Sequence, residues 1–249
     1  MDQRPSSLLN RLSESATIAM ARKATELKNS GIDVISLSLG EPDFDTPQLM
    51  KDAGTQAIAD NITHYTPVAG ILSVREAICR KFKRDNGLDF EPDQIVVSNG
   101  AKQSITNVVL SLVDPGEEVI LPAPYWVSYA DMVAFAGGKA VILPTRIEDD
   151  FKINPESLEA AINANTRLLI YSSPCNPSGS VYTQDEIDAL ALVLIRNPHV
   201  YVISDEIYEL INFTGKHASL GAKAELKDRV ITVNGVSKGF AMTGWRLGY

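Results

Sequence analysis

Cysteine is scarce in this chain: 249 residues carry two, Cys79 and Cys175, and their separation matches no metal-ligand or redox spacing. That scarcity argues against a disulfide framework and points to a reducing compartment, the cytoplasm being the simplest. Histidine is almost as rare. His64, His199 and His217 stand in unrelated contexts and read as structural or surface residues, so no metal site is expected. No apolar run approaches the length that spans a bilayer; ALALVLI, at 189–195, is among the longest. The opening MDQRPSSLLNRLSES contains no apolar core of a secretory signal. Positive charge is in deficit: 23 Lys and Arg against 31 Asp and Glu give a net charge of −8, which argues against a general nucleic-acid binder. Also missing are a G-x-G-x-x-G dinucleotide turn, a G-x-x-x-x-G-K-[ST] phosphate loop and a G-x-S-x-G nucleophile elbow.

What is present is an ordinary globular composition, 45% hydrophobic and 22% charged, enough to bury a substantial core. From about Asp93 onward, short apolar runs alternate with helical patterns, which predicts a mostly parallel sheet covered by helices. The predicted strands are QIVVS (94–98), EVILP (118–122), KAVILP (139–144), RLLIYS (167–172), VYVIS (200–204), RVITVN (229–234) and WRLGY (245–249). Helices are expected over KQSITNVVLSLV (102–113) and TQDEIDALALVLIR (183–196), the second opened by a capping box of Thr183 and Glu186. Upstream, ATIAMARKATELKNSG (16–31) is an amphipathic helix ended by Gly31, followed by a Pro- and Asp-rich turn, GEPDFDTP (40–47), and two more helices. The expected organisation is an N-terminal segment over 1–45 and a sheet domain over 46–249.

In parallel α/β sheets ligands sit beyond the carboxyl ends of the strands, so the polar residues that follow the strands carry the chemistry. SNGAKQ (98–103) is a glycine turn into a helix start, where backbone N–H groups and Lys102 could hold an anion; alone, such a stretch is more often an ordinary tight turn. SSPCNPSG (172–179) flanks Asn176 with prolines that would hold its amide rigidly, or simply end a strand. In VISDEIYE (202–209), Asp205 follows a buried strand, where a carboxylate needs a stabilising partner, and Tyr208 lies one turn on. Asp205 also suits a helix N-cap. In VNGVSKGFAMTGWRLGY (233–249), Lys238 stands among Ser237, Gly239 and Ala241, with Gly244 expected to let the backbone come close and Arg246 eight positions on. A lysine is ordinarily solvated. One confined beside another cation is a depressed-pKa nucleophile, and the arginine fork suits a phosphate dianion. An amine, a carboxylate, a phenol with an amide, and an anion cradle together match what pyridoxal phosphate requires.

GVSKGFAMTGWRLG (235–248) resembles the pyridoxal-phosphate attachment signature of class I/II aminotransferases. GEPDFDTP, HYTPVAG (64–70), PAPYWVSY (122–129), SSPCNPSG and SDEIYE are similar, in the same order, to segments of the bacterial aspartate aminotransferase branch. The resemblance implies the fold-type I α/β architecture of these transferases, a mostly parallel seven-stranded sheet with flanking helices. It implies that Lys238 condenses with the cofactor aldehyde and then moves the substrate's α-proton. Asp205 would pair with the ring nitrogen, Tyr208 and Asn176 would hydrogen-bond the ring's phenolic oxygen, and Trp126 would stack on the ring. Ala101, Lys102, Ser237 and Arg246 would form the phosphate site. Tyr65 would reach the phosphate of a neighbouring subunit, which implies a homodimer with shared active sites. Gly40, Trp126 and Asn176 would lie against the substrate, and Ala123–Pro124 and Asn176–Pro177 are expected to be cis.

The implied reaction transfers the α-amino group of an acidic amino acid, aspartate first, to a 2-oxo acid such as 2-oxoglutarate. Aromatic or glutamate–prephenate transamination and β-elimination use the same sheet-domain motifs, and a truncated cofactor-binding module is the non-enzymatic alternative. Relatives of this kind continue past the position of Tyr249 into a C-terminal small domain bearing the arginine that clamps the substrate α-carboxylate. The sequence is therefore expected to lack that domain, and residues 1–45 are expected to belong with it.

Overall fold

The chain is seen in a computed structural model that describes residues 6, 8, 9, 12 and 15–249, so part of the expected 1–45 segment lies outside the described residues. Five strands form one sheet: β1 (Glu118–Ala123), β2 (Lys139–Pro144), β3 (Thr166–Ser172), β4 (Tyr201–Asp205) and β5 (Val230–Val233). They run parallel in the order β2-β1-β3-β4-β5. Helices α1 (Ala16–Asn29), α2 (Gln48–Ala59) and α3 (Leu72–Lys81) precede the sheet, and α4 (Ala101–Leu112), α5 (Ser128–Ala136), α6 (Pro155–Ala161) and α7 (Gln184–Arg196) pack around it.

The central strands β1, β3 and β4 are mostly apolar because both faces of the sheet are covered there. Val119, Leu121, Leu168, Ile170 and Ile203 meet Ile105 and Val109 of α4 and Met132 and Val133 of α5. Their neighbours in sequence, Ile120, Leu169 and Val202, point the other way onto Leu158 of α6 and Ile187, Leu190 and Leu194 of α7. Full burial of each such aliphatic side chain contributes about 1.5–3 kcal/mol. The α7 capping box forms as expected: Glu186 N donates to Thr183 Oγ1 (3.3 Å) and Thr183 N to Glu186 Oε2 (2.7 Å). Gly31, just past α1, takes φ +81°, the left-handed conformation that a helix stop needs. No helix among the described residues is long and apolar enough to cross a membrane.

Among the described residues the expected seven strands correct to five. The runs at 94–98 and 245–249 do not form ladders; they meet at one isolated antiparallel bridge, Ser98 to Gly248, and a second bridge joins Gly248 to Gly235 just beyond β5. Ser98 and Gly248 exchange both backbone hydrogen bonds (2.8 and 3.0 Å), and Asn234 and Tyr249 do the same (2.9 Å each). Pairing stops there because the chain on one side turns at once through Gly100 into α4, while the other side emerges from a 3-10 turn at Thr243–Trp245. The register of the parallel ladder places Ser172 beside Asp205, and Asp205 beside Val233, at the carboxyl edge of the sheet.

Candidate active site

A cavity of about 590 Å³ opens at that edge. Its walls include Ala101, Lys102, Trp126, Asn176, Asp205, Tyr208, Ser237, Lys238 and Arg246, and the N-terminal segment adds Gly40. Ten of the eleven residues singled out from the sequence thus converge here. The eleventh, Tyr65, is fully exposed and does not line the cavity.

Asp205 ends β4 with 4% of its surface exposed. It caps no α-helix: the chain passes into a turn, and its Oδ1 accepts from Ile207 N (3.3 Å). Oδ2 accepts from the Tyr129 hydroxyl at 2.5 Å. Burial pushes the carboxyl up to about 6 against the pull of both hydrogen bonds, with neighbouring Glu206 adding to the rise. No ion pair among the described residues gives this carboxylate a cation.

Lys238 donates from Nζ to the Gly40 carbonyl and lies 5.8 Å from the centre of the Tyr208 ring. Burial holds its pKa below the ordinary lysine value; Glu41 opposes that shift and Arg246 adds to it. Tyr208 is kept a neutral phenol by burial and by Asp205, against a contact from Asn176 Nδ2 to its oxygen at 3.5 Å, the outer limit of a hydrogen bond. Both groups therefore remain available to a ligand oxygen. Trp126 meets Tyr129 edge-on (5.5 Å, 87°), and Lys102 Nζ stands 5.1 Å from its ring centre.

The anion side of the cavity is built from backbone. Helix α4 begins after Gly100 (φ +85°) with no side-chain cap and no acidic residue in its first turn. Its N–H groups and dipole are thus unopposed. Arg246, itself left-handed at φ +56°, donates to Asn99 O (3.0 Å) and Thr243 O (2.8 Å). A Cβ on Gly100 would lie 2.2 Å from Arg246 Nη2, and one on Gly248 would lie 2.1 Å from Ala101 N. Gly244, expected to permit close approach, has nothing within 4 Å; Gly248 takes that role because it is the residue between Ser98 and Gly235.

This donor set fits a flat cationic ring with an aldehyde and a phosphate arm. The buried carboxylate suits a cationic ring nitrogen, the uncapped helix end and the remaining guanidinium donors suit an anion, and the amine of lowered pKa lines the same cavity. The Ala123–Pro124 and Asn176–Pro177 bonds are cis, as is Ser173–Pro174, which sequence reasoning did not single out. Sequence reasoning also missed Tyr129, an aromatic on the buried face of a helix, where periodicity reads only core. Beyond the cavity, His217 Nε2 lies 2.9 Å from Glu206 Oε2, and Glu206, Glu209 and His217 gather within 4.8 Å. These groups have internal partners: Ser204 and Ser219 donate to Glu206, and Lys81 and Asn86 hold Glu209.

The family model described as aminotransferase class I and II matches residues 32–249. An aspartate aminotransferase of Pinus pinaster is 50% identical over 240 residues, 96% of this chain and 49% of the relative. An aspartate/prephenate aminotransferase of Nitrosomonas europaea is 51% identical over 237 residues, 94% of this chain and 60% of its own. Among solved structures, aspartate aminotransferase from Thermus thermophilus with maleate superposes with TM-score 0.95 at 43% identity, covering 99% of this chain and 64% of that one. The chain spans about half to three fifths of the length of these curated relatives.

Proposed function

The chain belongs to the class I and II aminotransferases, and from that premise we propose that its protein moves the α-amino group of aspartate to a 2-oxo acid such as 2-oxoglutarate. The observation that carries this reading is the convergence, on one cavity, of the Lys238 amine and the buried, cation-free Asp205 carboxylate. Pyridoxal phosphate, when bound, supplies the aldehyde and the electron-withdrawing ring that make an amino acid's α-proton acidic. Lys238, its pKa lowered by burial, would supply the free amine that condenses with that aldehyde, with loss of water, and would move the substrate's α-proton. Asp205 would hold the ring nitrogen protonated, and Tyr208 with Asn176 would engage the ring oxygen. Trp126 would stack on the ring, and Arg246, Ser237, Lys102 and the Ala101 turn would hold the phosphate. Gly40 lies against the substrate. The Thermus enzyme is seen with maleate, a four-carbon dicarboxylate, which supports an acidic substrate for this chain too.

The protein works as a cytoplasmic homodimer in which Tyr65 completes the partner's phosphate site; its full exposure here supports that role. Residues 1–45 belong with the small domain, and residues 46–249 form the cofactor domain. Lys238→Ala protein should lack the visible absorption of lysine-bound cofactor and lose turnover with aspartate and 2-oxoglutarate. Undiminished turnover would sink the proposal. Prephenate as amino acceptor is the second reading, favoured by the names of relatives such as the Nitrosomonas enzyme. Product detection with prephenate beside 2-oxoglutarate separates the two.

A further inference from the structure

We propose that Tyr129 is a positioning residue that keeps Asp205 ionised and fixes the orientation of its carboxylate toward the cofactor ring. The inference rests on the reading that Asp205 holds the ring nitrogen. Its geometric basis is a contact at the bottom of the cavity: Tyr129 Oη to Asp205 Oδ2 is 2.5 Å, with the two residues 1% and 4% exposed. A hydroxyl–oxygen separation this short is characteristic of a charge-assisted bond in which a neutral phenol donates to a carboxylate. The direction of donation is settled by the phenol's own environment. Burial, the Asp205 charge and the bond itself hold Tyr129 well above the ordinary tyrosine range, so it keeps its proton. With Oδ2 engaged by α5 and Oδ1 by Ile207 N, both oxygens of the carboxylate are held.

The groups facing Asp205 are few. Glu206 follows it in the chain and raises its pKa, and Tyr208 feels its charge from the cavity wall. Ser172, its partner across the β3–β4 pairing, bears on the Tyr129 hydroxyl. Among these, the phenol of Tyr129 and the Ile207 N–H are the donors that favour the ionised acid. Tyr129 also makes a T-shaped contact with Trp126, so one side chain touches both the carboxylate and an aromatic ring of the cavity wall.

The test is the pyridoxal-phosphate dissociation constant of the full chain, measured by equilibrium dialysis from about pH 6.5 to about pH 9. Tyr129→Phe keeps the ring and removes one oxygen. It should bind about ten-fold more weakly near neutral pH, the scale of a lost hydrogen bond to a charged group. Its affinity should converge on wild type in the alkaline range, where Asp205 ionises unaided. A loss constant with pH would mark Tyr129 as packing alone, and equal affinity near neutrality would also overturn the proposal. Asp205→Asn separates the layers. It should bind weakly at every pH, and adding Tyr129→Phe to it should cost nothing more. Wild-type binding by Asp205→Asn would remove the ring-nitrogen reading and this inference with it. Weak binding by Asp205→Asn beside wild-type binding by Tyr129→Phe would remove only the inference.

Discussion

A carboxylate that is 4% exposed and lacks a cationic partner is costly to keep. For Asp205 the cost can be placed on a pH axis. Its folded pKa is about 6, raised from an unfolded value near 3.8. Between those values the folded state holds the proton and the unfolded chain has released it, so stability falls as pH rises through the window and stays reduced above it. The shift corresponds to about 3 kcal/mol at neutral pH. Asp205→Asn should therefore stabilise the cofactor-free protein by about 2–3 kcal/mol near pH 7, less the altered bond to Tyr129, and the gain should shrink as pH falls toward 4. Chemical denaturation at a series of pH values measures it; a variant less stable than wild type at neutral pH would contradict the assignment. Glu41 acts on Lys238 in the opposite sense. Its charge raises the lysine pKa against burial, so Glu41→Gln should lower it further and make the amine reactive at lower pH, as an amine-selective reagent would report on cofactor-free protein.

At the scale of elements, three glycines near the anion side of the cavity differ in what they touch. A Cβ on Gly248 would enter the backbone of Gly100 and Ala101, at 2.3 and 2.1 Å, where nothing can swing aside. Gly248→Ala should distort the start of α4, weaken phosphate binding by ten-fold or more and cost over about 2 kcal/mol. Gly100→Ala meets the flexible Arg246 side chain instead but must hold φ +85°, so a smaller loss of both is expected. Gly244→Ala faces open space and should match wild type. Calorimetric titration with inorganic phosphate and thermal melts would rank the three. Thr183→Ala is the converse case: losing the α7 cap should cost about 1 kcal/mol and leave phosphate affinity alone. Such local features were legible in the sequence. The capping box, the five apolar strands and the polar residues at their ends depend on neighbours in the chain. The Gly248 bridges and the Tyr129–Asp205 bond were not legible, because they join segments far apart in sequence. Gly244 shows the same limit: composition suggested close approach, but only the fold says which glycine has a neighbour.

For the molecule as a whole, the open question of placement is Tyr65. Its neighbourhood carries apolar surface, with Ile58, Ile62 and Val68 all exposed alongside it, and none of these residues lines the cavity. If a second copy covers this region, Tyr65 serves a site built on another chain, and subunit mixing can detect that. In dimers pairing a Lys238→Ala chain with a Tyr65→Phe chain, the site able to bind cofactor covalently lies on the Tyr65→Phe chain. Crossing over would give that site its tyrosine from the Lys238→Ala subunit. The cofactor released most slowly, followed by the visible band of the lysine-bound form, should then match wild type, while the Tyr65→Phe homodimer should bind about ten-fold more weakly. If the mixed dimer behaves like the Tyr65→Phe homodimer, the residue does not cross, and the shared-site arrangement is wrong for this protein. The comparison isolates one hydroxyl at the boundary between copies, because Phe preserves the apolar contact and each covalent site retains Lys238 and Asp205.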